Sequence, residues 1–103
     1  MSTGPQEATE SARRAVDPDR LMPSENPSTR YLSDVVHWMK VYSELAELKD
    51  DLIELAERRL LEMDPSGAKE IRESDIVMLR AEKERFMHRL EFWKSRHREL
   101  DGG

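Results

Sequence analysis

Three histidines and two lysines stand where they could do chemistry. His37 follows Asp34 by three residues, and His88 lies four after Glu84 and three before Glu91. Those spacings put each histidine on a carboxylate-bearing helix face. If the chain turns back near residue 64, His37 comes level with about Glu91. Such a pair could ligate a divalent metal or relay a proton. A di-iron bundle, however, presents Glu-x-x-His on two helices with further glutamates, all pointing inward. This chain has Asp-x-x-His once and Glu-x-x-His nowhere. His37 also shares its helical column with Glu44 and Asp51, so it is expected to face water. His97 falls on an apolar seam and is expected to be partly buried, near Tyr31. Lys49 and Lys83 interrupt apolar columns. A buried lysine is rare in a sealed bundle, and the expectation is that both snorkel toward neighbouring carboxylates and fix the register of packing. No catalytic residue, metal ligand, cofactor-binding residue or small-molecule substrate is assigned, and the expected protein is not an enzyme.

The stretch RLEFWKSRHREL, 89–100, holds four Arg or Lys, a histidine and two adjacent aromatics. A nucleic-acid surface would need basic groups on a solvent face with stacking aromatics, or a recognisable motif. Here Leu90, Trp93, His97 and Leu100 follow a helical seam, and cations near a helix C-terminus are favoured by its dipole. The stretch reads as a packed helix end, and nucleic acid is not the expected partner. Its basic residues Arg85, Arg89, Lys94, Arg96 and Arg98 form a candidate patch for an anionic partner.

The elements that position these residues follow from the apolar pattern. Residues 1–26 contain Pro5, Pro18 and Pro23 and show no apolar periodicity, which predicts a disordered arm. Within it, Leu21 and Met22 form an apolar pair. Asn26-Pro27 has the chemistry of a helix start, and neither Gly nor Pro recurs before Met63. Val41, Leu45, Leu48, Leu52 and Leu55 recur at helical spacing, with Trp38 in line. Two flanking columns carry Met39, Ala46, Ile53 and Leu60, and Val35, Tyr42, Ala56 and Met63. Asp64-Pro65 repeats the cap-then-proline signal, and a turn is expected over about 64–67. A second seam then reads Ile76, Leu79, Lys83, Phe86, Leu90, Trp93, His97 and Leu100. The expected fold is all-α: an arm over 1–26, then a coiled-coil-like helical hairpin over 27–101. Helix 1 spans about 27–63 and helix 2 about 68–100.

Composition sets the outer limits. Charged residues make up 38% of the 103-residue chain and apolar residues 37%, which suits long helices with a narrow buried face. There is no cysteine, so neither disulfides nor thiolate metal sites stabilise the fold. No apolar run approaches the ~18 residues of a membrane span, and the N-terminus lacks a signal-peptide core. A cytoplasmic protein with no membrane association is expected. ELKDDLIELAERR, 47–59, resembles the first helix of a helical chorismate mutase. The basic substrate-binding positions of that fold find no place further along, so the resemblance carries no activity.

Net charge is −5, unevenly spread. Segment 44–62 has seven acids and three bases, and segment 83–98 has six bases and two acids. Helix 1 carries three apolar columns, more than one neighbour can cover. Two hairpins forming a four-helix bundle would cover them, and antiparallel pairing would set each basic end against the other's acidic end. The expected function is that of a homodimeric interaction or scaffold protein, with a further protein partner as an added candidate. Its expected interface comprises Trp38, Val41, Leu45, Leu48, Leu52, Leu55, Ile76, Leu79, Phe86, Leu90 and Trp93. The alternative is a small regulator binding an acidic protein or nucleic acid through the basic half of helix 2.

Overall fold

The computed structural model describes residues 17–102, and every described element is helical. Helix α1 spans Leu32–Leu60, α2 spans Pro65–Glu73 and α3 spans Asp75–Gly102. The second long helix of the hairpin is thus bent, broken between α2 and α3 at Ser74. There the Ser74 hydroxyl donates to the Glu70 carbonyl at 2.6 Å and the Ser74 N–H to the same oxygen at 3.0 Å. A serine that bonds back to the preceding turn bends a helix in this way.

Helix α1 begins five residues later than the Asn26-Pro27 signal predicts. Asn26 uses its cap chemistry on a turn of its own: its Oδ1 accepts the Ser28 N–H at 3.0 Å and its carbonyl accepts the Thr29 N–H at 3.2 Å. Asn before Pro favours such a turn, which competes directly with helix initiation. The Thr29 hydroxyl then donates to Asp34 Oδ2 at 2.6 Å, tying the turn to the first turn of α1. The Asp64-Pro65 signal, in contrast, starts α2 where it stands. Asp64 accepts the Gly67 N–H at 2.9 Å and Pro65 occupies the first helical position. The expected turn over 64–67 therefore moves to 61–64, and Gly67 lies inside a helix.

Helices α1 and α3 lie side by side. Lys49 meets Glu82 at 3.1 Å, Asp50 meets Lys83 at 2.5 Å and Glu57 meets Arg80 at 2.6 Å. Lys49 and Lys83 thus reach carboxylates on the facing helix, as expected of residues that interrupt an apolar column. The core sits toward the open end of the hairpin. Val35, Tyr42 and Ala46 of α1 pack there with Phe86, Leu90 and Trp93 of α3.

Two expectations change here. The arm over 1–26 lies outside the described residues for 1–16, but 17–31 pack across the open end. Met22 contacts the core, while Glu25 and Thr29 are buried. The α1 seam also differs. The face toward α3 runs through Val35, Tyr42, Ala46, Lys49, Ile53, Ala56 and Leu60, whereas Leu48 and Leu55 are 49% and 45% exposed. At ~100° per residue, the column Val41–Leu55 lies about a quarter turn away from α3. The shape follows: the radius of gyration is 17.1 Å, against about 12–13 Å for a compact domain of this size.

Candidate functional site

The Glu25 side chain has none of its surface exposed. The Met22–Glu25 turn places it: Pro23 is the second residue, and Ser24 takes a left-handed φ of 70°. The Glu25 N–H donates to the Met22 carbonyl at 3.0 Å. Glu25 Oε1 accepts the Met22 N–H at 2.9 Å and the Tyr42 hydroxyl at 2.5 Å. Glu25 Oε2 accepts Arg89 Nη2 at 2.7 Å and Trp93 Nε1 at 2.8 Å. The buried donors of Tyr42, Trp93 and Arg89 converge on one carboxylate, as the cost of leaving any of them unpaired requires.

The electrostatics agree with this geometry. Burial by itself would raise the Glu25 pKa, but the bonds from Tyr42, the Met22 N–H, Arg89 and Trp93 outweigh it. Together they hold the carboxyl below its ordinary value. Tyr42 responds in the opposite sense. Burial, then its hydrogen bond to Glu25 and the repulsion of that charge, push its hydroxyl up to about 12.

A second clamp binds the arm further along: Arg96 donates to the Thr29 carbonyl through Nη2 at 2.9 Å and Nε at 3.2 Å. RLEFWKSRHREL is therefore a packed helix end with a specific task, gripping the arm.

The candidate anionic-partner residues accordingly do not form one exposed patch. Arg89 is buried against Glu25, and its guanidinium lies 4.4 Å from the centre of the Phe92 ring. Arg85 is buried as well. Arg96 holds Thr29 and Glu99, Lys94 pairs with Glu91 at 3.3 Å, and Arg98 donates to Ser95 Oγ at 2.9 Å. Binding the arm consumes the strongest of these donors.

The candidate interface residues separate into three groups. Ile76, Phe86, Leu90 and Trp93 are buried inside the hairpin. Trp38, Val41, Leu45 and Leu79 are half-buried, and Leu48, Leu52 and Leu55 are exposed. Leu52 and Leu55 border a groove of about 210 Å³ whose lining also includes Ala56, Arg59, Ile71, Asp75 and Leu79. Apolar side chains from all three helices thus line one uncovered face at the turn end.

The histidines stand apart. His37 is exposed with its ring edge-on to Trp38, at 5.0 Å between centres. His88 is exposed, with Nε2 3.6 Å from Asp19 Oδ1. His97 is half-buried. Among the described residues no group of three or more His, Asp or Glu is placed to share a metal ion. No helix among them is long and apolar enough to cross a membrane. Comparisons with protein-family models, with curated proteins and with solved structures find no match.

Sequence reasoning missed Glu25 because it sits among prolines in an aperiodic segment. One signal was present. Tyr42 and Trp93 each carry a polar tip that needs a partner when buried, and both fall on apolar columns near Arg89. Three donors and no acceptor at one end of a hairpin require a carboxylate from elsewhere in the chain.

Proposed function

We propose that the protein is a non-enzymatic interaction module, a helical hairpin that self-associates through the uncovered leucine face. The observation that carries this reading is the exposure of Leu48, Leu52 and Leu55 beside the groove lined by Ile71 and Leu79. A contiguous apolar face of this kind marks an interaction surface. A second copy of the chain suits it best, because the strip is self-complementary in charge. Along the column, Val41–Leu55 is flanked by Asp34 toward one end and Arg59 toward the other. A two-fold axis near Leu48 would bring each Arg59 to within about one helical turn of the other copy's Asp34. Two hairpins meeting in this antiparallel sense form a four-helix bundle, and an isologous pair of this kind is the commonest form of oligomer. A cytoplasmic location is part of the same proposal. The alternative, a regulator binding an anionic partner through the basic end of α3, has less support, because Arg89 and Arg96 are engaged with the arm.

Absolute mass by light scattering coupled to size exclusion tests this reading. The expected mass is about 24 kDa, twice the 12.1 kDa chain. The double variant Leu48→Glu, Leu52→Glu should run as a monomer with unchanged helicity, since both positions lie outside the hairpin core. A wild-type monomer at every concentration would refute self-association through this face.

A further inference from the structure

A second groove, of about 590 Å³, runs between α1 and α3. Ile53 and Met87 supply its apolar lining, and Arg80, Lys83, Glu84 and Glu91 most of its charges. Asp50 lines this groove and Leu52 the one at the leucine face. Two positions apart on a helix, they project about 160° from one another, so the two grooves lie on opposite flanks of the hairpin.

The arm leads to this groove by its course along α3. Its contacts advance in step with the numbering: Asp19 Oδ1 lies 3.6 Å from His88 Nε2, Glu25 accepts from Arg89 and Trp93, and the Thr29 carbonyl accepts from Arg96. His88 also lines the groove. Traced back from Asp17, the chain therefore leaves α3 beside the groove, and the same course carries the preceding residues toward Arg80. Along α3 the groove extends from Glu91 to Arg80, about 16 Å at the helical rise. Residues 5–16 contain no glycine and no proline after Pro5, and as a helix they would be about 18 Å long.

The charges fall in a matching order. Arg13 and Arg14 lie nearest the junction, where the groove carries Glu84 and Glu91. Glu7 and Glu10 lie further back, where it carries Arg80 and Lys83. Arg80, Lys83 and Glu91 already have partners on the hairpin in Glu57, Asp50 and Lys94. Glu84 pairs with no cation among the described residues. Ala12, Ala15 and Val16 supply small apolar side chains to set over Ile53 and Met87, which is 39% exposed.

We propose that residues 5–16 of this chain occupy the groove lined by Ile53 and Met87, with Arg13 and Arg14 turned toward Glu84. A segment tethered beside its groove binds at a high effective concentration, an advantage that a separate partner lacks. The arm then covers one flank of the hairpin and leaves the leucine face as the surface open to a second copy. Because the grooves lie on opposite flanks, the proposal holds for one copy or two.

The chain has no cysteine, so Ser11→Cys carries a single nitroxide in the full chain. The isotope-labelled, spin-labelled chain is diluted in an excess of unlabelled wild type, which restricts the signal to contacts within one chain. The Ile53 and Met87 methyl resonances should lose most of their intensity relative to the reduced nitroxide, and the Leu48 methyls much less. Arg13→Glu with Arg14→Glu should restore the lost intensity, and adding Glu84→Lys should remove it again. Equal losses at Leu48, Ile53 and Met87, or none, would overturn the docking. Losses that vanish on dilution would assign the groove to the arm of another copy. Losses unchanged by the arginine substitutions would overturn the role of Glu84.

Discussion

The two ends of the hairpin solve the same problem differently. At the open end, α1 and α3 present polar-tipped side chains (Tyr42, Trp93 and Arg89) on faces that are otherwise apolar. A segment of the chain's own arm closes over them and supplies Glu25. At the turn end, α1 presents Leu48, Leu52 and Leu55, and no described segment covers them. A face with buried donors demands an acceptor at defined distances and can be sealed by one short segment that offers it. An apolar face asks only for area, which a second helix face supplies better than an extended arm. The comparison repeats at smaller scale between Arg89, whose carboxylate is built in, and Arg85, whose Nε has no partner among the described residues.

The largest effect should come from breaking the filled site. Arg89→Met leaves Glu25 as a buried carboxylate stripped of its cation, which should cost about 3–5 kcal/mol in urea unfolding. The matching Arg85→Met change should cost under about 1 kcal/mol or stabilise, since a well-packed apolar side chain would replace an unpaired buried charge. Equal losses at both positions would erase the distinction.

The apolar halves can be compared in the same way. Leu90→Ala should cost about 2–5 kcal/mol at a fully buried position. Leu48→Ala should cost about 1 kcal/mol or less in a monomer, given its exposure. In the proposed dimer the Leu48 loss should grow with protein concentration, as it must when folding and association are linked. A cost at Leu48 as large as that at Leu90, independent of concentration, would mean that α1 packs through a different face.

The smallest effect sharpens the electrostatic side of the comparison. Glu25 has a folded-state pKa below its ordinary 4.5. Its contribution to stability is therefore fully present above pH ~4.5 and is lost as pH falls through the depressed value. Tyr42 is raised from 10.0 to about 12, so its contribution is fully present below pH 10 and is lost as pH rises toward 12. Glu25→Gln should remove the acid arm of a stability-against-pH profile and reduce the alkaline arm, where the burial of Tyr42 remains. An acid arm unchanged in that variant would move the titrating group elsewhere.

Helicity and the pairing roles of Lys49 and Lys83 were legible in the apolar spacing, and the break near Asp64 in its Asp-Pro signal. So was the seam of α3, where Ile76, Phe86, Leu90 and Trp93 form one stripe. The seam of α1 was not. Its three apolar columns are near-equivalent by period alone, and the leucine-rich column was the wrong one to set against α3. The face with Tyr42, Ala46 and Ala56 took that place. Small residues at Ala46 and Ala56 let the helices approach, and Tyr42 reaches the acceptor that only the arm provides. The start of α1 was misread for a related reason. Asn26-Pro27 fits a helix cap and an Asx turn equally well, and the burial of Thr29 beneath Arg96 favours the turn.

The sequence by itself determined that this chain makes two long helical stretches joined near Asp64, because hydrophobic period, Gly and Pro placement and capping are local properties. Only the tertiary structure decided which α1 face is inside, that part of the arm is structural, and that Glu25 is the acceptor on which it closes. Those outcomes depend on contacts between residues 17, 64 and 68 positions apart, Tyr42, Arg89 and Trp93 each reaching Glu25. Local pattern cannot rank such contacts, since the energy of a buried polar bond exists only once the surrounding surfaces have excluded water.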